Sequence, residues 1–443
     1  MNPALPENRR FFAPQAWVEG RWAQHVLLEA QDGLWSHISP DCSNTERVGA
    51  QSLDGPVLPG LVNAHSHAFQ RAIAGLTERA SLGRNDDFWS WREHMYATAR
   101  QLGPQTLETI AAELYAELRQ AGYTQVCEFH YLHNDLDGRP YADPLEMSLA
   151  LVRAAQRAGI GLTLLPTLYM RAGFMQPALA EGQRRFASTP ESVLRIAEAV
   201  RALAAGSPTL HAGIALHSLR AVDEGALRET AQAARAAGLP VHIHLAEQQR
   251  EVQDCLQRHG RRPLEWLLEN AAPDGGWNIV HATQANADEL LALRRSGAAI
   301  VLCPSTEANL GDGLFDLPTW LRARGTWSIG SDSHISRSWT EELRLLEYGQ
   351  RLQRRQRNVA ATAAGQESTA AVLFEGALSG GTAAAGVPLA GLRVGQRADL
   401  MVLDHASPGL AGVPSSHVLD AAVFSSPGAA VSRVVVAARD APQ

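Results

Sequence analysis

The chain has 443 residues, of which 45% are hydrophobic and 19% are charged, so it holds enough apolar residues to bury a large core. Its formal net charge of -7 argues against nucleic acid as a partner, because phosphate binding needs a basic surface. All 39 residues of the Lys and Arg class are arginines. This excludes Schiff-base lysine chemistry, a P-loop lysine and a carbamylated lysine bridging two metals.

The cysteines and the apolar runs predict a cytoplasmic protein that does not enter a membrane. Four cysteines in a chain of this length do not form a disulfide framework, and none are paired at metal-ligand spacing. The first ten residues contain no apolar run of signal-peptide length. No stretch approaches the roughly 18 uninterrupted apolar residues of a transmembrane helix.

Short apolar runs rich in β-branched residues alternate with helical segments through the middle of the chain. Helices are predicted at 106–120, 224–237 and 287–295, where proline precedes the first and glycine follows each one. Eight βα units predict an α/β fold, a TIM-like (β/α)8 barrel. The eight predicted strands are buried and parallel, at 57–65, 126–131, 162–168, 213–217, 241–245, 278–281, 299–303 and 327–331.

Both ends of the chain differ from its middle, because residues 11–54 and 389–438 consist of short strand-like runs and turns. We expect the two ends to meet. The predicted organisation is a small β-sandwich domain formed by residues 1–56 and 385–443, beside a barrel formed by residues 57–384.

Polar residues follow the predicted barrel strands where catalytic groups of such barrels lie, at the carboxyl ends. His65 and His67 end the first strand, and because they are two residues apart they point to the same face. His244 and Asp332 end strands five and eight. Three imidazoles and one carboxylate suit a single Zn²⁺ ion, with Fe²⁺ possible. His281 ends strand six and completes the group of polar strand ends.

His242 is the alternative to His244, since the two share a face of the same strand. We prefer His244 because it stands three residues before Glu247, at the end of the strand. His242 is interpreted as a residue of the barrel interior.

The run from Pro59 to His67, together with the later histidines and aspartate, resembles the amidohydrolase superfamily, as does the tail at 391–400. The absence of lysine and the spacing of His244 and Glu247 indicate its single-metal deaminase branch. The resemblance implies a hydrolase that breaks a non-peptide C–N bond with a metal-activated water, and it suggests a homodimer.

Five segments resemble the formimidoylglutamate deiminase family more specifically, at 65–71, 88–93, 128–133, 217–220 and 242–248. That resemblance implies hydrolysis of N-formimino-L-glutamate to N-formyl-L-glutamate and ammonia in histidine degradation, with one zinc ion. The segment that contains Arg92 is interpreted as a loop partly covering the site. An arginine suits a substrate with two carboxylates, and which arginine binds which carboxylate stays open. The resemblance implies substrate contacts from Gln70, Arg92, Tyr131, His217 and Arg220.

The predicted mechanism begins with a metal that lowers the pKa of a bound water toward about 7. His281 and Asp332 orient that water and accept its proton, and Glu247 moves protons to the substrate nitrogen. Two alternatives stay open. His281 could instead bind the metal directly, and Glu247 could instead be a carboxylate at a helix N-terminus.

Two other functions compete with this prediction. A superfamily deaminase acting on a purine, pyrimidine or triazine ring would need aromatic stacking and fewer arginines. A catalytically dead binding protein on the same fold would have lost metal ligands, whereas all of the candidate ligands are present here.

Overall fold

The structure, a computed structural model, describes residues 8–80, 86–428 and 430–440. Residues 1–7 and 441–443 of the predicted small domain therefore lie outside the described residues. The strands, in chain order, are β1 (Asn8–Val18), β2 (Arg21–Gln31), β3 (Leu34–Ser39), β4 (Gln51–Ser52), β5 (Val57–Pro59), β6 (Leu61–Ser66), β7 (Tyr123–His130), β8 (Gly161–Leu168), β9 (Leu210–Ala212), β10 (Ile214–Ser218), β11 (Val241–Leu245), β12 (Trp277–His281), β13 (Ala299–Leu302), β14 (Trp327–Ile329), β15 (Leu400–Leu403), β16 (Val431–Val436) and β17 (Arg439–Asp440).

Helices follow most of the barrel strands and cover them from outside. Short 3-10 helices lie at Ala68–Ile73, Glu181–Phe186 and Ser415–His417. The α-helices are α1 (Phe88–Ala99), α2 (Pro104–Gln120), α3 (Glu146–Ala158), α4 (Pro190–Leu203), α5 (Glu224–Ala236), α6 (Gln249–His259), α7 (Pro263–Ala271), α8 (Ala287–Ser296), α9 (Pro304–Leu310), α10 (Leu317–Arg322), α11 (Trp339–Arg354), α12 (Val359–Ala364), α13 (Thr369–Ala385) and α14 (Val418–Phe424).

The three helices predicted from proline and glycine are present, with bounds shifted by one or two residues. Pro104 occupies the first turn of α2, where its missing N–H leaves no hydrogen bond unmade. The Asp223 side chain accepts hydrogen bonds from the first turn of α5, and Asn286 does the same for α8.

The barrel is built from parallel strands in the order β6, β7, β8, β10, β11, β12, β13 and β14, counted over the described part of the chain. A parallel bridge between Ser66 and Asp332 joins the end of β6 to the segment after β14 and closes the ring. The predicted (β/α)8 barrel is confirmed. Its strands are buried along their whole length, which explains their continuous apolar runs.

The predicted strand 57–65 is wrong as a single barrel strand. Val57–Pro59 pairs with β1 and β15 of the small sheet, and only Leu61–Ser66 enters the barrel. Gly60 lies between the two strands. Glycine is needed at this position because a Cβ there would collide with the Thr124 side chain. The predicted domain boundary at residue 57 stays a prediction, although β5 pairs with the small sheet.

The two ends of the chain meet in a separate, mainly antiparallel sheet with the order β17, β16, β15, β5, β1, β2 and β3, with β4 beside β1. Trp35 exchanges backbone hydrogen bonds with Gln396 and Gly395, which brings β3 against the segment before β15. The sheet thereby encloses a small core of its own around Phe11, Trp35 and Val402. Within the described residues, no helix combines the length and apolar character needed to cross a membrane.

Candidate active site

Four side chains converge at the mouth of the barrel with their donor atoms facing one another. His244 Nε2 lies 3.0 Å from His65 Nε2 and 3.3 Å from His67 Nε2. Asp332 Oδ1 lies 3.4 Å and 3.3 Å from the same two histidine nitrogens. The structure thus brings together the four metal ligands predicted from the sequence.

These distances fit a metal ion. A tetrahedral Zn²⁺ site with Zn–N bonds of about 2.0–2.1 Å has ligand atoms separated by about 3.3 Å. The His67 Nδ1–H donates to the Phe129 carbonyl oxygen at 2.9 Å, and the His244 Nδ1–H donates to that of His217 at 2.9 Å. These bonds place the proton of each ring on Nδ1, so both Nε2 atoms are unprotonated. Their lone pairs face each other, which favours a cation between them.

Burial lowers the pKa of His65 to about 3 and also lowers the pKa values of His67 and His244. All three imidazoles are therefore neutral at physiological pH. Neutral imidazole is the form that binds a metal.

The backbone around Asp332 closes the barrel and places its carboxylate. The Asp332 N–H donates to the His65 carbonyl at 3.0 Å, and the His67 N–H donates to the Asp332 carbonyl at 3.2 Å. Asp332 has a φ of 47°, a strained backbone conformation for a residue other than glycine. Gly330 permits this close approach, since a Cβ there would lie 2.6 Å from His65 Cβ.

His281 lies beside the four-ligand cluster but outside it. Its Nε2 is 3.7 Å from Asp332 Oδ2 and 3.8 Å from Glu247 Oε1. On the other side of the ring, the Nδ1–H donates to Glu307 Oε1 at 3.2 Å, and the same oxygen accepts the Cys303 N–H at 2.9 Å. Burial disfavours a charge on this ring, but three neighbouring carboxylates raise the pKa of His281 to about 10.

Glu247 stands at the carboxyl end of β11 and faces the same space as His281. It is buried, and burial raises the pKa of its carboxyl to about 7. The Glu251 carboxylate accepts the backbone N–H groups of Ala246 and Glu247, both at 3.1 Å, and so fixes this turn. A carboxyl with a pKa near neutrality can both accept and donate a proton.

Sequence reasoning missed the buried glutamates that support the site from behind. Glu128 accepts hydrogen bonds from Ser66 Oγ at 2.6 Å, from the Ala68 N–H at 2.7 Å and from the Tyr115 hydroxyl at 3.0 Å, which holds the segment of the two histidines. Glu307 likewise accepts hydrogen bonds from the His281 ring and the Cys303 N–H. Glu251 accepts the N–H groups of the turn after β11. Glu307 and Glu251 each follow a predicted strand by a few residues, whereas Glu128 lies within the strand predicted at 126–131. An acidic residue in or just after a buried strand is the signal that could have found them.

A cavity of about 40 Å³ adjoins the metal-type cluster at the mouth of the barrel. His65 lies behind it, fully buried. The other predicted site residues line this cavity together, namely His67, Gln70, Arg92, Tyr131, His217, Arg220, His244, Glu247, His281 and Asp332.

Arg92 and Arg220 line the part of the cavity that we call the arginine end, and neither forms an ion pair or a hydrogen bond with the described residues. Burial lowers the pKa of Arg220, but nearby Tyr169, Glu251 and Glu247 raise it. Arg92 Nε is buried without a partner. Burial lowers the pKa of the Arg92 guanidinium. Two partly buried cations without protein partners indicate an anionic ligand.

The segment that carries Arg92 is a helix, so its interpretation as a loop was wrong. The Asp87 side chain accepts the N–H groups of Trp89 and Ser90, and this capping box starts α1 at Phe88. The sequence signal for the start of this helix was Asp87, its N-cap residue. The aromatic residues that follow Asp87 favoured the loop interpretation instead. α1 nevertheless lines the cavity with Arg92, as expected of a covering segment.

The two alternatives at β11 share a face of the strand but lie at different positions along it, so their side chains reach different partners. His242 Nε2 contacts the carbonyl oxygen of Ala384, a residue of α13, at 2.8 Å. His244, two residues later, reaches the metal-type cluster.

Comparison with known proteins gives relatives over nearly the whole chain. Residues 57–439 match the family model described as "Amidohydrolase family". The formimidoylglutamate deiminase of Pseudomonas aeruginosa is 50% identical over 430 residues, which is 97% of this chain and 93% of that protein. The resemblance inferred from the sequence is thereby confirmed.

Solved structures agree with this result. An amidohydrolase from Brucella melitensis superimposes with a TM-score of 0.90 at 40% identity, covering 98% of this chain and 94% of that one. An adenosine deaminase from Xanthomonas campestris with bound zinc shares the fold, with a TM-score of 0.79 at 19% identity, covering 99% of this chain and 93% of that one. The barrel, the polar strand ends and these matches lead to one conclusion: the chain belongs to the amidohydrolase family.

Proposed function

We propose that this protein hydrolyses N-formimino-L-glutamate to N-formyl-L-glutamate and ammonia. The observation that supports it most directly is a single cavity lined both by a metal-type cluster and by two arginines that form no ion pair with the described residues. The substrate matches this cavity, because it has a formimino carbon to be attacked and two carboxylates to be bound. The relative with 50% identity has this activity in its name.

His65, His67, His244 and Asp332 would hold one metal ion, with Zn²⁺ proposed and Fe²⁺ as the alternative. Such an ion supplies Lewis acidity and makes hydroxide available from water near pH 7. The remaining chemistry belongs to side chains of this chain.

His281 and Asp332 orient the attacking water, and Asp332 accepts its proton, because neighbouring carboxylates raise the pKa of His281 to about 10 and keep that ring protonated at neutral pH. Glu307 holds the His281 ring so that Nε2 faces the cavity. Addition of water to the formimino carbon gives a tetrahedral carbon bearing a hydroxyl and an amino group. Glu247 delivers a proton to the amino nitrogen, the C–N bond breaks and ammonia leaves. The hydroxyl gives its proton to the Glu247 carboxylate, which returns to its protonated form, and the carbon becomes the formyl group.

Gln70, Tyr131 and His217 complete the proposed substrate contacts between the two ends. The Gln70 Nε2–H donates to the Tyr131 hydroxyl at 2.9 Å, while Gln70 Oε1 is buried without a partner among the described residues. That free acceptor suits an N–H of the substrate. The assignment of each carboxylate to Arg92 or Arg220 stays open.

A ring-substrate deaminase is the second candidate, and one observation favours it. Aromatic side chains line the same cavity, including Tyr96, Tyr169 and Phe186. A neutral purine or pyrimidine would, however, leave Arg92 and Arg220 without anionic partners, which costs free energy in a partly buried site.

Ammonia release from N-formimino-L-glutamate by metal-replete protein tests the proposal, with N-formimino-L-aspartate, guanine and cytosine measured in parallel. Selective release from the glutamate compound is expected. Release from guanine or cytosine alone would contradict the substrate while keeping the metal-dependent hydrolysis.

The wider setting is proposed on the resemblance and the composition. We infer a homodimer in a reducing cytoplasm, acting in histidine degradation on a small substrate and without nucleic acid or membrane partners. Gel filtration with light scattering tests the dimer, and elemental analysis of the purified protein tests the zinc.

A further inference from the structure

The indole of Trp89 is surrounded by three guanidinium groups at the arginine end of the cavity. The ring centroid lies 4.4 Å from Arg92 Cζ, 4.8 Å from Arg250 Cζ and 5.8 Å from Arg220 Cζ. These arginines belong to α1, to α6 and to the segment between β10 and α5. One aromatic side chain therefore contacts cations from three separate parts of the barrel rim.

Trp89 stands behind the arginines and not in the cavity. Arg92 and Arg220 line the cavity, whereas Trp89 and Arg250 do not. Two further aromatic rings of α1 assist, since Arg92 Cζ lies 5.4 Å from the Tyr96 ring and Arg220 Cζ lies 5.7 Å from the Phe88 ring. Helix α1 thus supplies the aromatic faces against which both cavity arginines rest.

Like charges at this spacing repel, and no carboxylate among the described residues forms an ion pair with Arg92 or Arg220, although Glu251 and Glu247 lie near Arg220. The negative face of an aromatic ring attracts a cation without using its N–H donors. A protein carboxylate would hold an arginine equally well but would occupy the donors that a ligand needs. An indole face therefore positions both guanidinium groups and leaves their donors free.

We propose that Trp89 is a positioning residue that holds Arg92 and Arg220 at the spacing that recognises the two carboxylates of the substrate. The inference rests on the proposed function, because it assumes a dicarboxylate ligand. Arg250, which is exposed on α6, contacts the same ring and links it to that helix. Specificity for a dicarboxylate then depends on a side chain that touches no substrate atom.

The test compares Trp89→Leu with Trp89→Phe in metal-replete protein, because leucine keeps apolar bulk while phenylalanine also keeps a π face. We measure the Ki of glutarate, a dicarboxylate without the reacting group, and the KM and kcat for N-formimino-L-glutamate. For Trp89→Leu we expect Ki and KM to rise about tenfold, with kcat within about threefold of wild type. Trp89→Phe should stay within about threefold of wild type in all three quantities.

Trp22→Leu is the matched control, since Trp22 is also partly buried but contacts Trp17 in the small sheet, at 5.1 Å between ring centroids. It should leave Ki, KM and metal content unchanged. A wild-type Ki in Trp89→Leu, or equal losses in the leucine and phenylalanine variants, would overturn the role of Trp89 alone. Failure of the wild-type protein to bind glutarate or to turn over the formimino substrate would overturn the proposed function and this inference together.

Discussion

The two ends of the cavity hold their side chains by different forces. At the metal end, His67 and His244 are each fixed by a hydrogen bond of 2.9 Å to a backbone carbonyl, and His281 is fixed by Glu307. At the arginine end, Arg92 and Arg220 contact aromatic rings and make no hydrogen bond to the described residues.

This difference follows from what each end must bind. A metal ion needs ligand atoms at fixed distances, so each ring is held by directional bonds, of about 1.5–3 kcal/mol where a charged group takes part. A carboxylate needs free N–H donors, so the arginines are held by non-directional contacts of about 0.5–2 kcal/mol. Changes at the metal end should therefore lower kcat, and changes at the arginine end should raise KM.

The largest effect is expected from Glu247→Gln at the metal end. The amide keeps the shape of the side chain but cannot accept and deliver a proton, so kcat should fall by about 10²–10⁴. Elemental analysis should still find the metal, and the Ki of glutarate should stay at the wild-type value. Normal turnover would show that Glu247 is only a carboxylate at the start of a helix.

Glu307→Gln tests whether the support behind His281 matters as much as the group itself. Loss of the carboxylate that accepts the His281 Nδ1–H should lower kcat about 10–100-fold, as is typical for residues that orient a site histidine. KM should change little. Glu307→Asp should recover part of the activity, whereas a rise in KM without a fall in kcat would place Glu307 in substrate binding.

Arg220→Met removes a charge at the arginine end while keeping an unbranched apolar side chain. A charge-assisted hydrogen bond is worth about 1.5–3 kcal/mol, so KM for N-formimino-L-glutamate should rise about 10–100-fold. The metal content should not change. Arg228→Met is a control on an exposed position of α5 and should behave as wild type.

The smallest effect is a pH dependence that belongs to the metal end alone. Burial raises the pKa of the Glu247 carboxyl to about 7, and the protonated form is the one that can deliver a proton to the substrate nitrogen. The value of kcat/KM should therefore fall as the pH passes upward through about 7. That fall should persist in Arg220→Met and disappear from the residual activity of Glu247→Gln. A profile that is flat from pH 5.5 to 8 in the wild type would contradict the role.

Much of the metal end follows from the sequence, because local rules suffice there. Two histidines two residues apart on a strand share a face, and parallel barrel strands end on the same rim. The spacing of His65 and His67, and the strand-end positions of His244 and Asp332, could therefore be read directly. The parallel barrel strands could also be predicted from local sequence, because each is a continuous apolar run.

Tertiary structure alone decided which buried groups stand behind these ligands. Glu307 is 26 residues from His281 and Glu128 is 62 residues from Ser66, and no pattern in the sequence pairs them. The partition of 57–65 into a sheet strand and a barrel strand also depended on pairing with β15, far along the chain. The contact of one indole with three arginines was equally hidden, because non-directional packing leaves no periodic signal. Spacing along a strand fixes which side chains share a face, but only the folded chain brings distant groups within bonding distance of them.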